Sequence, residues 1–246
     1  MALMLREMSS TYGDSPGGYL WAVLEPLGVI TLLSLAFSLL IATPALGTNF
    51  VLFYATGYLP FTLYQSVSVT VARSIRFSKP LLFYPSVTWL DSVIARFTLN
   101  TLTQIMAGFI LLATIIGVAD THTVLDIQPI LLAIFLAAIL GLGVGAMNCL
   151  LMGLFPVWEM IWSILTRPLF LASGILFLYE DMPPLIQNIL WYNPLIHIIG
   201  LFREGMYSLY NPIYISPVFV LGLSLIHVAL ALLLLRRYHK DILASL

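Results

Sequence analysis

Long stretches without a charged residue constrain this chain more than any other feature of its sequence. Residues 26–72 contain no Asp, Glu, Lys or Arg over 47 consecutive positions. A helix needs roughly 20 consecutive apolar residues to cross a bilayer core about 30 Å thick. This stretch therefore holds two crossings, joined at the helix-breaking run 43–49. Only 9% of the 246 residues are charged, against about 25% in soluble domains, so the sequence predicts a single all-α integral membrane domain.

Further charge-poor stretches predict four more crossings. In chain order they cover residues 97–119, 127–158, 158–179 and 217–235. The uncharged stretch 182–202 is different, because prolines interrupt it at its start and near its middle. We interpret it as two short re-entrant or surface half-helices, broken at Tyr192-Asn193-Pro194 and covered by protein or by a cavity.

The positions of the basic residues favour six crossings over seven. With six, eight basic residues lie on one side: Arg6, Arg73, Arg76, Lys79, Arg96, Arg236, Arg237 and Lys240. The positive-inside rule makes that side cytoplasmic. A seventh crossing would move the last three of them to the outside. We therefore predict a multi-pass protein with both termini in the cytoplasm.

This topology divides the chain into four parts of one membrane domain. Residues 1–25 form an interfacial segment, in which Met1, Leu5, Met8 and Tyr12 share one face of an amphipathic helix. Residues 26–179 hold crossings one to five, 180–212 form a gate segment on the outer side, and 213–246 hold crossing six and the tail.

The sequence contains no arrangement typical of covalent chemistry. The only lysines, Lys79 and Lys240, do not follow a glycine-rich nucleotide loop, and the four histidines have no partner at metal-ligand spacing. A net charge of −1 without a basic run argues against nucleic acid as a partner. One enzyme hypothesis is an intramembrane serine hydrolase built on Ser173 and His197. The simpler interpretation of Ser173 is a small packing residue beside Gly174.

Two intramembrane features have two interpretations each. Arg167 is expected as a buried cation in the fifth crossing, where it either lines a hydrated path or pairs with a neighbouring helix. Tyr54, Tyr58, Phe61 and Gln65 follow helical spacing on the second crossing. Such a stripe fits a surface along which sugar rings slide, or ordinary helix packing with an interfacial aromatic belt. The Gly-x-x-x-Gly at Gly141 and Gly145 predicts close helix packing.

The cytoplasmic loop 73–96 combines basic and large apolar residues. Pro85 is suited to the first position of a short helix with Asp91 and Arg96 as its polar residues. Phe83, Tyr84 and Trp89 either lie on the lipid surface or insert into a partner. Apolar side chains surrounded by charge favour a partner.

Short segments in a characteristic order resemble the membrane subunit of ABC-2 type exporters, in its capsule polysaccharide branch. The segments are Leu5-Arg6-Glu7 with Tyr12-Gly13, residues 18–27, 81–87, Asp91 with 95–96, 173–177, 193–197 and Arg203-Glu204-Gly205. Two positions depart from the family pattern, because Gly200 and Asn100 replace expected acidic residues.

The resemblance implies a pore subunit that moves a lipid-linked capsular polysaccharide across the bacterial inner membrane. It implies a second copy of the chain, two separate ABC ATPase subunits that hold ATP and Mg²⁺, and polysaccharide export proteins in the periplasm and outer membrane. This chain itself would carry no cofactor, metal or catalytic residue. Exporters of O-antigen, teichoic acid, lipids or drugs remain alternatives.

The same resemblance assigns expected roles to three groups of residues. Coupling to the ATPase falls to Phe83, Tyr84, Pro85, Trp89 and Asp91. The substrate pathway includes Tyr54, Tyr58, Phe61, Gln65 and Arg167. The periplasmic gate consists of Trp191, Tyr192, Asn193, Pro194, His197 and Arg203.

Overall fold

The computed structural model describes residue 18, residues 20–82, residue 84 and residues 87–118 and 125–245. All regular structure in these residues is helical. The α-helices are α1 (Leu20–Ser38), α2 (Phe50–Ala72), α3 (Ser74–Leu82), α4 (Trp89–Val118), α5 (Ile127–Leu154), α6 (Val157–Ala172), α7 (Pro184–Leu190), α8 (Pro194–Met206) and α9 (Pro217–Ser245). One 3₁₀ turn, Tyr179–Asp181, precedes α7.

Helix α5 lies at the centre and packs most extensively on α2 and α9. Glycines allow both approaches. A Cβ at Gly145 would lie 2.7 Å from the Ser68 carbonyl oxygen of α2, and one at Gly143 would lie 2.9 Å from the Ser224 carbonyl oxygen of α9. The predicted close packing at the glycine motif is confirmed, with Gly141 and Gly145 facing α2 and Gly143 facing α9.

Helix α2 is enclosed by its neighbours, which explains its mixed composition. Fourteen of its 23 residues are buried, and it packs against α5, α4, α1 and α8. Because little of its surface faces outward, it accommodates hydroxyl and amide side chains that a lipid-facing helix would expose to hydrocarbon.

Helices α1 and α6 lie at the periphery. Only Pro26, Ile30 and Ser34 are buried in α1, and no residue of α6 is buried. Both helices expose large apolar side chains, including Leu32 and Leu35 of α1. Exposed apolar faces of this kind fit lipid or another membrane helix.

Four helices of the described chain are long and apolar enough to cross a membrane, namely α1, α4, α5 and α9. The pair α7 and α8, bent by 100°, adds a fifth if it is counted as one span. Helix α6 has 16 residues, about 24 Å at 1.5 Å per residue. Six crossings, with α2 and α6 included, remains a prediction.

The two ends of the helical bundle differ in charge. The basic end carries Arg73, Arg76 and Arg96 beside the last turns of α9. The opposite end carries the α1–α2 connection, the start of α5 and the whole α7–α8 pair. Residues before and after that pair meet there, because the Tyr210 hydroxyl contacts the Glu180 carboxylate at 3.1 Å.

Several predicted boundaries are wrong. Helix α1 begins at Leu20, inside the predicted interfacial segment 1–25. The loop 73–96 contains helix α3, which begins at Ser74, whereas a helix was expected from Pro85. Asp91 and Arg96 belong instead to α4, which begins at Trp89. The predicted interfacial helix over residues 1–12, Phe83 and Pro85 lie outside the described residues.

Candidate functional site

Among the arginines that the structure describes, Arg203 is the buried one. Its side chain is 2% exposed and donates hydrogen bonds to the carbonyl oxygens of Gly174 at 2.8 Å, Ile175 at 3.0 Å and Phe177 at 3.1 Å. Its guanidinium carbon lies 4.4 Å from the ring centroid of Phe53 in α2. Carbonyl dipoles and an aromatic face thus replace a carboxylate as the partners of this cation.

The turn that receives Arg203 depends on glycine. Gly174 has a φ of +79°, a left-handed conformation that glycine adopts without steric cost. The turn follows the end of α6, and Arg203 lies near the end of α8. The three hydrogen bonds therefore fix the end of α6 to the α7–α8 pair.

His197 joins the break between α7 and α8 to the start of α9. Its Nε2 lies 2.7 Å from the Trp191 carbonyl oxygen, and its Nδ1 accepts the Ser216 backbone N–H at 3.2 Å. These two bonds suit a neutral imidazole protonated at Nε2. Trp191 and Phe219 pack around the ring, with centroids at 5.3 Å and 5.5 Å.

The break itself falls at residues 191–193, where the sequence predicts it. The Asn193 Oδ1 accepts the Leu195 backbone N–H at 3.1 Å and caps α8, and Pro194 occupies the first turn. The Asn193 Nδ2 donates to the Ala172 carbonyl oxygen at 2.9 Å. Tyr192 is 70% exposed beside this junction. The structure therefore brings all six predicted gate residues into one region.

A tyrosine cluster beside the gate was missed by the sequence analysis. Tyr179 and Tyr214 stack with ring centroids 4.1 Å apart, and the Tyr210 hydroxyl lies 3.5 Å from that of Tyr214. Burial raises the pKa of Tyr214 to about 12 and also raises the pKa of Tyr210. Both hydroxyls therefore keep their protons at neutral pH, and Tyr210 donates to the Glu180 carboxylate. The signal available in the sequence was the concentration of tyrosines at 207, 210 and 214.

Gly200 is explained by this cluster. A Cβ at position 200 would meet the Tyr214 hydroxyl, and it would lie 3.1 Å from Cδ1 of Ile215. The tyrosine therefore occupies the space in which the acidic side chain of the family pattern was expected.

Arg167 is not buried in the protomer, which corrects the prediction. It is exposed on α6 and makes no hydrogen bond or ion pair with the described residues. The physical reason is that α6 packs chiefly against α5 and buries none of its residues. Its cation therefore faces away from the bundle.

The aromatic stripe of α2 is mostly packing. Tyr54 and Phe61 are 2% and 3% exposed. Phe61 and Tyr58 contact the Phe170 ring of α6 edge-on, with centroids at 5.5 Å and 6.4 Å. Within the stripe only Gln65 is exposed, and it faces a cleft between α2 and α6.

The residues expected to couple to an ATPase have different environments. Tyr84 is 62% exposed, whereas Trp89 packs against His239 of α9 at 6.0 Å. The Asp91 Oδ2 accepts the Thr88 backbone N–H at 2.9 Å and its hydroxyl at 2.6 Å. Asp91 thus belongs to a capping box that begins α4. The Thr-x-x-Asp spacing was the missed signal for this helix start.

Helix α3 is fixed to α4 by short polar contacts. The Ser92 hydroxyl donates to the Ser74 carbonyl oxygen at 3.0 Å, and its oxygen lies 2.6 Å from that of the Ser78 hydroxyl, which can donate to it. Arg96 donates to the Arg73 carbonyl oxygen at 3.1 Å and stacks over Phe77. Tyr84 therefore projects from a loop held between two anchored helices.

Ser173 and His197 do not form a catalytic pair. The Ser173 hydroxyl donates to the Leu169 carbonyl oxygen, and both ring nitrogens of His197 contact backbone groups. Within the described residues, moreover, no group of three or more His, Cys, Asp or Glu side chains could hold a metal ion.

Comparison with known proteins identifies the family. The model of the ABC-2 type transporter family matches residues 1–207, which is most of the chain. The chain belongs to the ABC-2 type transporters. The match includes the predicted gate residues up to Arg203 and the loop 73–96.

Curated relatives of this ABC-2 protein correspond along nearly its whole length. It is 27% identical to the capsule polysaccharide export inner-membrane protein CtrC of Neisseria meningitidis serogroup B, over 98% of this chain and 91% of CtrC. It is 31% identical to the polysialic acid transport protein KpsM of Escherichia coli, over 93% of this chain and 86% of KpsM. It is 26% identical to the capsule polysaccharide export inner-membrane protein BexB of Haemophilus influenzae, over 98% and 91%.

Proposed function

We propose that this chain is the pore subunit of an ATP-driven exporter that moves a lipid-linked capsular polysaccharide across the bacterial inner membrane. The observation that carries the proposal is its correspondence over 93–98% of its length to relatives named for capsule polysaccharide export or polysialic acid transport. Correspondence over the whole chain matters because pore, gate and coupling loop are then all included.

The topology that goes with this function has six crossings: α1, α2, α4, α5, α6 and α9. The contact between Glu180 and Tyr210 supports a re-entrant α7–α8 pair, because the chain before and after the pair meets at one end. The basic end then lies in the cytoplasm with both termini.

A second copy of the chain would complete the pore. The exposed apolar faces of α1 and α6 support this, since a neighbouring membrane helix would cover them. Arg167 lies on α6 and Gln65 opens to the cleft beside it, so we propose that these two border the substrate pathway. Tyr54 and Phe61 are buried and would support the pathway by packing behind it, whereas Tyr58 is half-buried.

Two ABC ATPases would bind at the basic end and supply ATP and Mg²⁺, with no cofactor in this chain. The exposed Tyr84, in the connection between α3 and α4, supports this site. Movement there would reach the pore through α3 and α4, which are joined by the contacts of Ser92. Export proteins of the periplasm and outer membrane would continue the path from the exposed Tyr192.

The test is Tyr84→Asp, with Tyr192→Asp as the matched control at the opposite end. We expect Tyr84→Asp to reduce both co-purification of the ATPase encoded nearby and surface capsule, because a carboxylate would replace the apolar contact. Tyr192→Asp should leave ATPase binding unchanged. Normal ATPase binding and capsule in the Tyr84 variant would refute the coupling role.

A deletion strain separates the substrate classes. Loss of capsule supports the proposal, whereas loss of O-antigen or teichoic acid, or altered drug or lipid export, would replace the substrate while keeping the exporter class. Catalysis by Ser173 and His197 is disfavoured by their backbone hydrogen bonds, and export retained with alanine at both positions would remove it.

A further inference from the structure

A cleft opens between α2 and α6 near the basic end. Its lining includes Gln65, Val69, Arg73, Glu159, Trp162 and Thr166, and its volume is about 130 Å³. That space admits a small polar group, such as a phosphate.

Arg73 and Glu159 line this cleft, and Arg76 contacts the same carboxylate from outside it. Arg73 and Arg76 each donate to a different oxygen of Glu159, at 3.2 Å and 3.3 Å. The three formal charges sum to +1. Each arginine uses one nitrogen in these contacts, although guanidinium groups bind carboxylates and phosphates best through two parallel hydrogen bonds. The two guanidinium groups therefore have further N–H donors with which to bind a second anion.

The interior of the cleft is also prepared for a polar ligand. Gln65 is exposed to it and forms no hydrogen bond with the described residues. An amide within a membrane-spanning region is costly unless it is hydrogen-bonded or hydrated. The Trp162 ring lines the same space and provides an apolar wall.

The outward face of α6 is apolar. Val157, Met160, Ile161 and Ile164 of α6 are 66%, 68%, 42% and 59% exposed. A molecule with an anionic head and hydrocarbon tails would match both parts, with its head at the arginines and its tails beside α6. A free anion would use only the first part.

We propose that the α2–α6 cleft binds the phosphate head group of a membrane lipid. Arg73 and Arg76 hold the phosphate oxygens, Gln65 hydrogen-bonds the adjoining hydroxyl groups, and Glu159 occupies the arginines when the lipid is absent. This inference rests on the proposed function for its biological meaning, since the lipid anchor of an exported polymer is such a molecule.

The test measures lipid binding directly on the purified full chain with its ATPase, in neutral-lipid nanodiscs. The probe is fluorescent phosphatidylglycerol, compared with phosphatidylcholine. Arg73→Gln combined with Arg76→Gln should weaken phosphatidylglycerol binding by about tenfold or more, equivalent to the loss of about 1.4 kcal/mol. Glu159→Gln should tighten it, because the competing carboxylate is gone. Because Glu159→Gln is expected to gain affinity, misfolding of that variant cannot account for the expected result.

The matched control is Arg236→Gln combined with Arg237→Gln, which removes the same charge from α9 at the same end. This variant should bind as the wild type does. An equal loss of phosphatidylglycerol binding in the control would show that the effect is general electrostatic attraction of anionic lipid to the basic end, and it would overturn the proposal. Unchanged or weaker binding in Glu159→Gln would also overturn it, as would displacement by inorganic phosphate as effective as that by unlabelled phosphatidylglycerol.

The binding measurement and the export measurement test the lipid site and the proposed function separately. If the cleft variants change lipid binding while deletion of the gene leaves capsule intact, the lipid site stands and the proposed function fails. If deletion abolishes capsule but no cleft variant alters binding, the exporter stands and the lipid site fails.

Discussion

Replacing Arg203 by methionine gives a quantitative test of the buried cation. The variant keeps the length of the side chain but removes all three hydrogen bonds to the turn 174–177. Hydrogen bonds to a charged group contribute about 1.5–3 kcal/mol each. Part of that gain is offset by the cost of burying the guanidinium, so we expect a net loss of about 3–5 kcal/mol in the free energy of unfolding.

Arg203→Lys refines the same test. A lysine keeps the positive charge, but its ammonium is a compact donor that cannot span three carbonyl oxygens as the planar guanidinium group of arginine does. We expect a smaller loss of about 1–3 kcal/mol. The measurement is reversible denaturation in mixed detergent micelles, followed by tryptophan fluorescence, with ligand-free protein at fixed detergent composition.

Arg167→Met is the matched control, because Arg167 is exposed and makes no hydrogen bond within the described part of the chain. Its stability should stay within about 0.5 kcal/mol of the wild type or increase. The reasoning is refuted if Arg203→Met loses less than about 1 kcal/mol, or if both arginine variants lose the same amount.

Three further local features are tested by substitution, each measured by thermal unfolding in detergent. Gly145→Ala should destabilise the protein by about 1–3 kcal/mol, because the new methyl group would overlap α2. Gly222→Ala, which has open space, should be neutral or stabilising, and equal losses would contradict the packing argument. Asp91→Ala should cost about 1 kcal/mol through loss of the helix cap, and an unchanged stability would remove the capping role. Gly200→Ala should be destabilising and should be partly rescued by Tyr214→Phe, whose missing hydroxyl makes room; failure of the rescue would show that another neighbour sets the constraint.

Features set by local chemistry were predictable from the sequence. The break at Asn193-Pro194 was predicted because proline stops the preceding hydrogen-bond pattern and asparagine caps the next helix. The close approach at Gly141 and Gly145 followed from side-chain size alone. The start of α5 at Ile127 was predicted, and the preceding Asp126 caps it.

Features set by long-range contacts were not predictable. The sequence of a charge-poor helix does not reveal which face its neighbours cover, so Arg167 was expected to be buried although it is exposed. Arg203 is buried because a turn 26–29 residues earlier in the chain supplies its partners. Helix α3 was not predicted, because residues 73–96 were interpreted as a loop; the helix tolerates Pro80, which lies near its end.

The glycine contacts of α5 separate the parts of the molecule that can move from those that cannot. With backbone close to backbone on two faces, α2, α5 and α9 have no layer of flexible side chains between them and cannot slide without collision. Helix α6 has no such restraint along its length, and it is held at one end by Arg203 and at the other by Glu159. We therefore expect α6 to tilt about either of these two attachment points. A force applied at the basic end would then open or close the side of the bundle before it disturbed the central helices.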